Sequence, residues 1–166
     1  MSKVHVLSAQ VTPRLRLTLV ASAPIACGDV IVQGSADQIE SKRTWRTVQI
    51  GHGQHLSNEF LDFVDHSCTP NALPDTERLA LIALRDVAAG EPITFFYPGA
   101  EVELAQAFRC ECGGDSCLGT IRGAFYLAPE QMRWTLAQGY CTAFMQRQLE
   151  RLLGAAEPRR ERAHRP

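Results

Sequence analysis

Four cysteines constrain this chain more than any other feature. Three of them fall together in Cys110-Glu111-Cys112-Gly113-Gly114-Asp115-Ser116-Cys117. In a reducing compartment such a cluster is more readily a metal site than a disulfide framework. Zinc takes four tetrahedral ligands, with zinc–sulfur bonds of about 2.3 Å. An extended segment around Cys110 and Cys112 turns both side chains to the same side. Gly113 and Gly114 let the backbone fold back so that Cys117 can join them. The fourth ligand must come from a distance, and Cys68 in Asp65-His66-Ser67-Cys68-Thr69-Pro70-Asn71 is the candidate, with His66 as its local competitor. No fifth ligand is evident, which favours a closed structural site over an open catalytic one; four unliganded thiols are the plain alternative. Cys27 and Cys141 stand among apolar neighbours and read as small buried hydrophobes.

The rest of the chain reads as short strands with helix only at the end. Residues 14–20 alternate Leu15, Leu17 and Leu19 with Arg14, Arg16 and Thr18, the pattern of a half-buried strand. A turn at 27–29 precedes the apolar run 30–32; residues 44–50, 79–84 and 93–97 read as further strands, and the polar stretch 35–42 as a surface loop. Residues 24–32 and 86–94 resemble each other, each with small residues, a glycine, an acid and then aliphatics. Pro129 and Glu130 suit a helix start, and Cys141, Met145, Leu149 and Leu152 or Leu153 recur at helical spacing, with Gly139 able to divide the segment in two. Residues after Gly154 read as a polar, mobile tail.

Of the 166 residues, 45% are apolar and 21% charged, and 17 basic side chains oppose 18 acidic ones. That balance gives no field to attract nucleic acid, and Arg46, Arg109 and Arg122 are too scattered to replace one. No apolar run is long enough to span a bilayer, and the start lacks the apolar run of a secretory signal. We expect one soluble, cytoplasmic domain. His52 and His55 could chelate a metal, but no carboxylate partner is placed for them; a loop with His55 hydrogen-bonded locally is the simpler expectation.

Three blocks give the sequence its likeness. The stretch from Phe63 to Asn71 resembles the Asn-His-Ser-Cys-x-Pro-Asn block of SET-domain proteins, a family of S-adenosylmethionine-dependent lysine methyltransferases. The stretch from Ala83 to Tyr97 resembles the segment ending in that family's active-site tyrosine. The stretch from Phe108 to Ile121 resembles its cysteine-rich post-SET tail. With Gly28-Asp29-Val30-Ile31 the likeness spans about residues 14–125.

The resemblance implies a mainly β fold of several small twisted sheets with a pseudoknot, a post-SET zinc site and a C-terminal helix. The layout would be a SET domain over 1–108, a post-SET segment over 109–125, a helical segment over 126–153 and a tail over 154–166. Cys68, Cys110, Cys112 and Cys117 would share one zinc. Asp65 and His66 would hold S-adenosylmethionine largely through backbone groups, and Phe108 would pack on its adenine. Tyr97 would direct its hydroxyl at the transferring methyl group, and Phe95, Phe96 and Tyr97 would supply an apolar wall. The helix after Pro129 would help to shape the substrate entrance. The substrate class implied is a lysine-bearing protein, with a small amine metabolite as the relative within that chemistry.

Three positions depart from the family pattern. Arg16 and Thr18 stand where it has Gly-x-Gly, Asp65 replaces an asparagine, and Phe96 stands where a polar residue often precedes the tyrosine. They keep open a second reading, a SET-like binding module with altered catalysis.

Overall fold

The computed structural model describes residues 4–10 and 15–156, with side chains described from Leu17 to Ala155. The predicted Arg14 and the side chain of Arg16 lie outside the described residues; of the tail expected over 154–166, residues 154–156 instead continue the last helix, and the rest lies outside the described residues. Among the described residues, twelve strands form five small sheets. Strand β1 (Val4–Gln10) pairs antiparallel with β2 (Leu15–Ala21). Strand β3 (Val30–Gln33) lies beside β9 (Ala80–Ala83), which lies beside β8 (Ala72–Asp75). In a second three-stranded sheet β6 (Gln54–Ser57) lies between β4 (Ile39–Glu40) and β5 (Thr47–Gly51). The two-residue strands β7 (Asp65–His66) and β10 (Thr94–Phe95) pair in parallel, and β11 (Phe108–Arg109) pairs antiparallel with β12 (Thr120–Ile121). Helices α1 (Pro129–Gln138) and α2 (Ala143–Ala156) close the described chain. The mainly β expectation with a C-terminal helical segment is met.

The two similar sequence stretches form a matched pair of corners. Ile25 and Val87 exchange backbone hydrogen bonds at 3.0 and 2.9 Å, which places the corners face to face. Gly28 N–H donates to Ala83 O at 2.8 Å, and Gly90 N–H donates to Ala21 O at 2.7 Å. Both glycines sit at positive φ, 85° and 82°, where a Cβ is strained. Leu19, Ile25, Leu81, Val87 and Ile93 are fully buried around this pair and form the centre of the main core.

Several expectations are corrected. In β2, Leu17 is 54% exposed, whereas Thr18 is fully buried with Leu19, Val20 and Ala21. The reason is tertiary: Ile93 and Gly90 donate to Leu19 O and Ala21 O, so the far half of β2 is paired on both edges and enclosed. The strand expected over 44–50 starts at Thr47, because the Thr47 and Thr44 hydroxyls accept the N–H groups of Thr44 and Arg46 and hold a turn. The expected loop at 35–42 contains a short 3-10 turn (Ala36–Gln38) and β4. Regular pairing in 93–97 is confined to β10, and Tyr97 opens a 3-10 turn (Tyr97–Gly99) containing Pro98. Cys27 is exposed at its corner rather than buried, and Cys141 is half-buried in the turn between the helices. His55 lies in β6, buried, and its Nδ1 meets no hydrogen-bond partner among the described residues, so the local bond expected of it is not made there.

Gly139 divides the helical segment as expected. It caps α1 in the left-handed conformation, with its N–H on Leu136 O and the Tyr140 N–H on Thr135 O, a Schellman ending. Thr142 Oγ1 accepts the Met145 N–H and starts α2, whose Met145 and Leu149 are fully buried.

Candidate functional site

The parallel pairing of β7 with β10 sets Asp65 opposite Thr94 and His66 opposite Phe95. Asn71 locks that pairing. Its Nδ2 donates to Glu91 Oε1 at 3.0 Å and to Pro92 O at 2.8 Å, and its Oδ1 accepts the Thr94 N–H at 2.8 Å. Glu91 also takes Arg85 Nη2 at 2.6 Å, and that guanidinium, outweighing burial, helps to hold its carboxyl down at about 2. Asp65 is buried beside this joint.

Side chains alternate across the pleat after Thr94. Phe95 enters the main core, while Phe96 enters a second cluster with Cys68, Cys110 and Ile121. Tyr97 then stands half-buried beside His66, with ring centroids 5.3 Å apart. Phe108 completes the group at 5.6 Å from His66 and 5.8 Å from Tyr97. The structure thus brings together His66, Tyr97 and Phe108, three residues singled out from the sequence.

Two hydrogen bonds orient the tyrosine. Its backbone N–H donates to His66 Nδ1 at 3.3 Å, and its hydroxyl donates to Val64 O at 2.7 Å. Burial pulls the His66 imidazole down to about 4, so the ring is neutral. A neutral ring accepting at Nδ1 carries its proton on Nε2, a tautomer assigned from the bonding. That Nε2 lies 3.4 Å from Cys68 Sγ. His66 therefore serves as a neighbour of the cysteine cluster.

The thiols of Cys68, Cys110, Cys112 and Cys117 all lie within 4.8 Å of one another. A zinc tetrahedron with bonds of about 2.3 Å has ligand–ligand edges of about 3.8 Å, so the donor set fits that ion. The loop's own backbone gathers the thiols. Gly113 has φ 68°, Cys117 N–H donates to Gly114 O at 3.0 Å, and Cys110 N–H donates to Gly119 O at 2.6 Å. The Leu118 N–H points at Cys68 Sγ from 3.5 Å. Burial pushes the Cys68 thiol far up and the Cys110 thiol up to about 11. Burial also acts upward on Cys112, but hydrogen bonds led by the Gly114 N–H bring it down to about 7.

Glu101 went unrecognised in the sequence. It is buried four residues after Tyr97, and its Oε1 accepts the Gln49 N–H at 2.6 Å. Burial raises its carboxyl to about 8, against weaker pulls from that N–H and from Arg43. Because the folded value lies above the ordinary 4.5, the folded state holds a proton that the unfolded chain releases. The group's stabilisation is complete below about 4.5 and is lost as pH rises towards about 8. In Glu101→Gln this loss disappears. Urea denaturation of both proteins at pH 5 and pH 8.5 is expected to give a stability gap that moves in the variant's favour by about 2 kcal/mol or more as pH rises; a pH-independent gap contradicts the assignment.

The SET domain family profile matches residues 16–98, half of the chain. The methyltransferase flvH of Aspergillus flavus is 36% identical over 86 residues, covering 50% of this chain and 48% of that protein. The H3 lysine-36 specific histone-lysine N-methyltransferase of Saccharomyces cerevisiae is 37% identical over 67 residues, covering 37% of this chain and 9% of that protein. The chain thus spans about half of the first relative and a small part of the second. Among solved structures, KRYPTONITE in complex with mCHG DNA and SAH superposes with a TM-score of 0.54 at 17% identity, covering 70% of this chain and 28% of that one. Profile, relatives and fold agree with the joined β7 and β10 blocks, and the chain belongs to the SET-domain family.

Proposed function

We propose that this chain is an S-adenosylmethionine-dependent methyltransferase that acts on a lysine amine of a protein. The observation that carries the reading is the convergence of His66, Tyr97 and Phe108 around a phenol whose proton is committed to Val64 O at 2.7 Å. The methyltransferase names of the relatives, and the lysine specificity that one of them states, support it. Bound S-adenosylmethionine supplies a methyl group on a positively charged sulfur. Asp65 and His66 would hold that cofactor through the β7 backbone, and Phe108 would pack on its adenine.

The acceptor must arrive as a neutral amine, against a free lysine pKa of about 10.4. Tyr97 and Phe108, with Phe95 buried behind Tyr97, form an apolar aromatic wall whose desolvation disfavours the ammonium form. Having donated to Val64, the Tyr97 hydroxyl meets the amine as a hydrogen-bond acceptor and turns its lone pair towards the donor. Catalysis by the chain is then chiefly positioning.

In this reading Cys110, Cys112 and Cys117 of a post-SET segment over 109–125 would hold one structural zinc together with Cys68 of a SET domain over 1–108. Thiolate ligation needs reduced cysteines, which fits a cytoplasmic setting. Among the described residues no helix is long and apolar enough to cross a membrane.

Tyr97→Phe tests the assignment. With a lysine-bearing protein as acceptor, turnover is expected to fall about 100-fold while cofactor affinity stays within about threefold. An unaltered rate contradicts the role given to Tyr97. Neither cofactor binding nor transfer to any amine, in the folded wild-type protein, favours the binding-module alternative.

A further inference from the structure

We propose that Trp134 and Tyr140, in the helical segment beyond the family match, are positioning residues that brace the turn carrying Tyr97. The consequence for catalysis rests on the methyltransferase reading; the geometry does not.

The turn Tyr97–Gly99 is gripped on both flanks by this segment. On one side, Thr142 N–H donates to Gly99 O at 2.9 Å. The backbones approach so closely that a Cβ on Gly99 would overlap the Tyr140 carbonyl oxygen. Only glycine admits this contact. On the other side, the Phe96 ring is met edge-on by Trp134, with centroids 5.8 Å apart, and at a tilt by Tyr140 at 6.4 Å. Trp134 and Tyr140 support each other at 5.6 Å. Phe96 is almost fully buried between these rings and the cysteine cluster. This accounts for an aromatic residue where the family often has a polar one: the side chain is a socket for the C-terminal segment.

The brace is itself rigid. The Schellman ending at Gly139 fixes Tyr140 by its N–H on Thr135 O at 3.2 Å. Two residues later Thr142 caps α2, which is anchored through Met145 and Leu149 in the C-terminal core. Tyr97 lies between the two gripped residues. Its own bonds to His66 and Val64 have useful geometry only while Phe96 and Gly99 hold the turn in place. The Trp134 and Tyr140 rings act through Phe96, while the backbone from Tyr140 to Thr142 holds Gly99, and neither ring need touch the substrate.

Trp134→Ala, Trp134→Phe and Tyr140→Ala, each in the full zinc-loaded chain, provide the test. Backbone hydrogen exchange over residues 96–101 is read beside kcat, KM and the calorimetric affinity for S-adenosylmethionine. Trp134→Ala and Tyr140→Ala are expected to raise exchange in that stretch and to lower kcat about tenfold or more, with KM and cofactor affinity within about twofold. Trp134→Phe, which keeps an aromatic edge, is expected to recover most of both effects. Unchanged exchange and kcat in a folded alanine variant overturn the proposal, as does a rise in exchange spread evenly over the whole chain. Should one alanine variant fail to fold, the other and Trp134→Phe decide. Should the wild-type protein neither bind cofactor nor turn over, the methyltransferase reading falls, while exchange at 96–101 still decides the brace.

Discussion

Cys68→Ser is expected to leave the protein without zinc and with a melting temperature lower by about 10 °C or more, whereas the wild-type protein carries about one zinc per chain. Cys68 is fully buried and is the only one of the four clustered thiols contributed from outside the 110–117 loop. The other three lie on a loop whose strands β11 and β12 pair over two residues each. So little pairing holds that loop weakly against the β7–β10 joint, and in the proposed site a shared zinc would be the stronger tie. Serine offers a hydroxyl that ionises far less readily than a thiol, in a site where burial already opposes the charged form. Metal analysis and thermal unfolding check the result. Cys27→Ser, at an exposed corner cysteine, is the control and should change neither measurement. Full stability of Cys68→Ser, with zinc retained, contradicts the site.

Asn71→Ala is expected to cost about 3 kcal/mol or more, with a fall in melting temperature of about 6–12 °C. Asn71 is fully buried, and its amide bonds at once to Glu91, to Pro92 and to Thr94. Truncation strands the Pro92 carbonyl and the Thr94 N–H and leaves a cavity. Those groups flank β10, so the damage falls on the joint that brings His66 to Tyr97. Thermal and urea unfolding measure the loss, and a shift under about 2 °C would contradict the role of the amide as the lock of the joint. An aspartate at this position keeps the acceptor and loses the donor, and it places a second carboxylate against Glu91. Asn71→Asp should therefore be at least as destabilising as Asn71→Ala at neutral pH.

The parts of this molecule legible in its sequence are those where chemistry is written locally. The spacing of Cys110, Cys112 and Cys117 announces shared ligation because ligand geometry acts over a few residues. The similar stretches around Gly28 and Gly90 become matched corners because both need positive φ at the glycine. Pro129 and Gly139 mark helix limits for equally local reasons. What escaped is set by partners distant along the chain. The alternation of 14–20 hides the burial of Thr18, which depends on residues 90–93 closing the second edge of β2. Cys27 has apolar neighbours in sequence but meets solvent at its corner. Glu101 is an ordinary acid until Gln49 and the surrounding core enclose it. Nothing near Trp134 or Tyr140 signals that both face Phe96, although the unusual phenylalanine beside Tyr97 is itself visible.

The methyltransferase reading stands or falls on whether the His66, Tyr97 and Phe108 group is a cofactor-binding surface. Calorimetric titration of S-adenosylmethionine into the zinc-loaded chain tests this most directly. A saturable isotherm with one site per chain, lost or sharply weakened in Phe108→Ala and retained in Tyr97→Phe, is the predicted result. No heat at any temperature, with zinc bound and the fold intact, would contradict it.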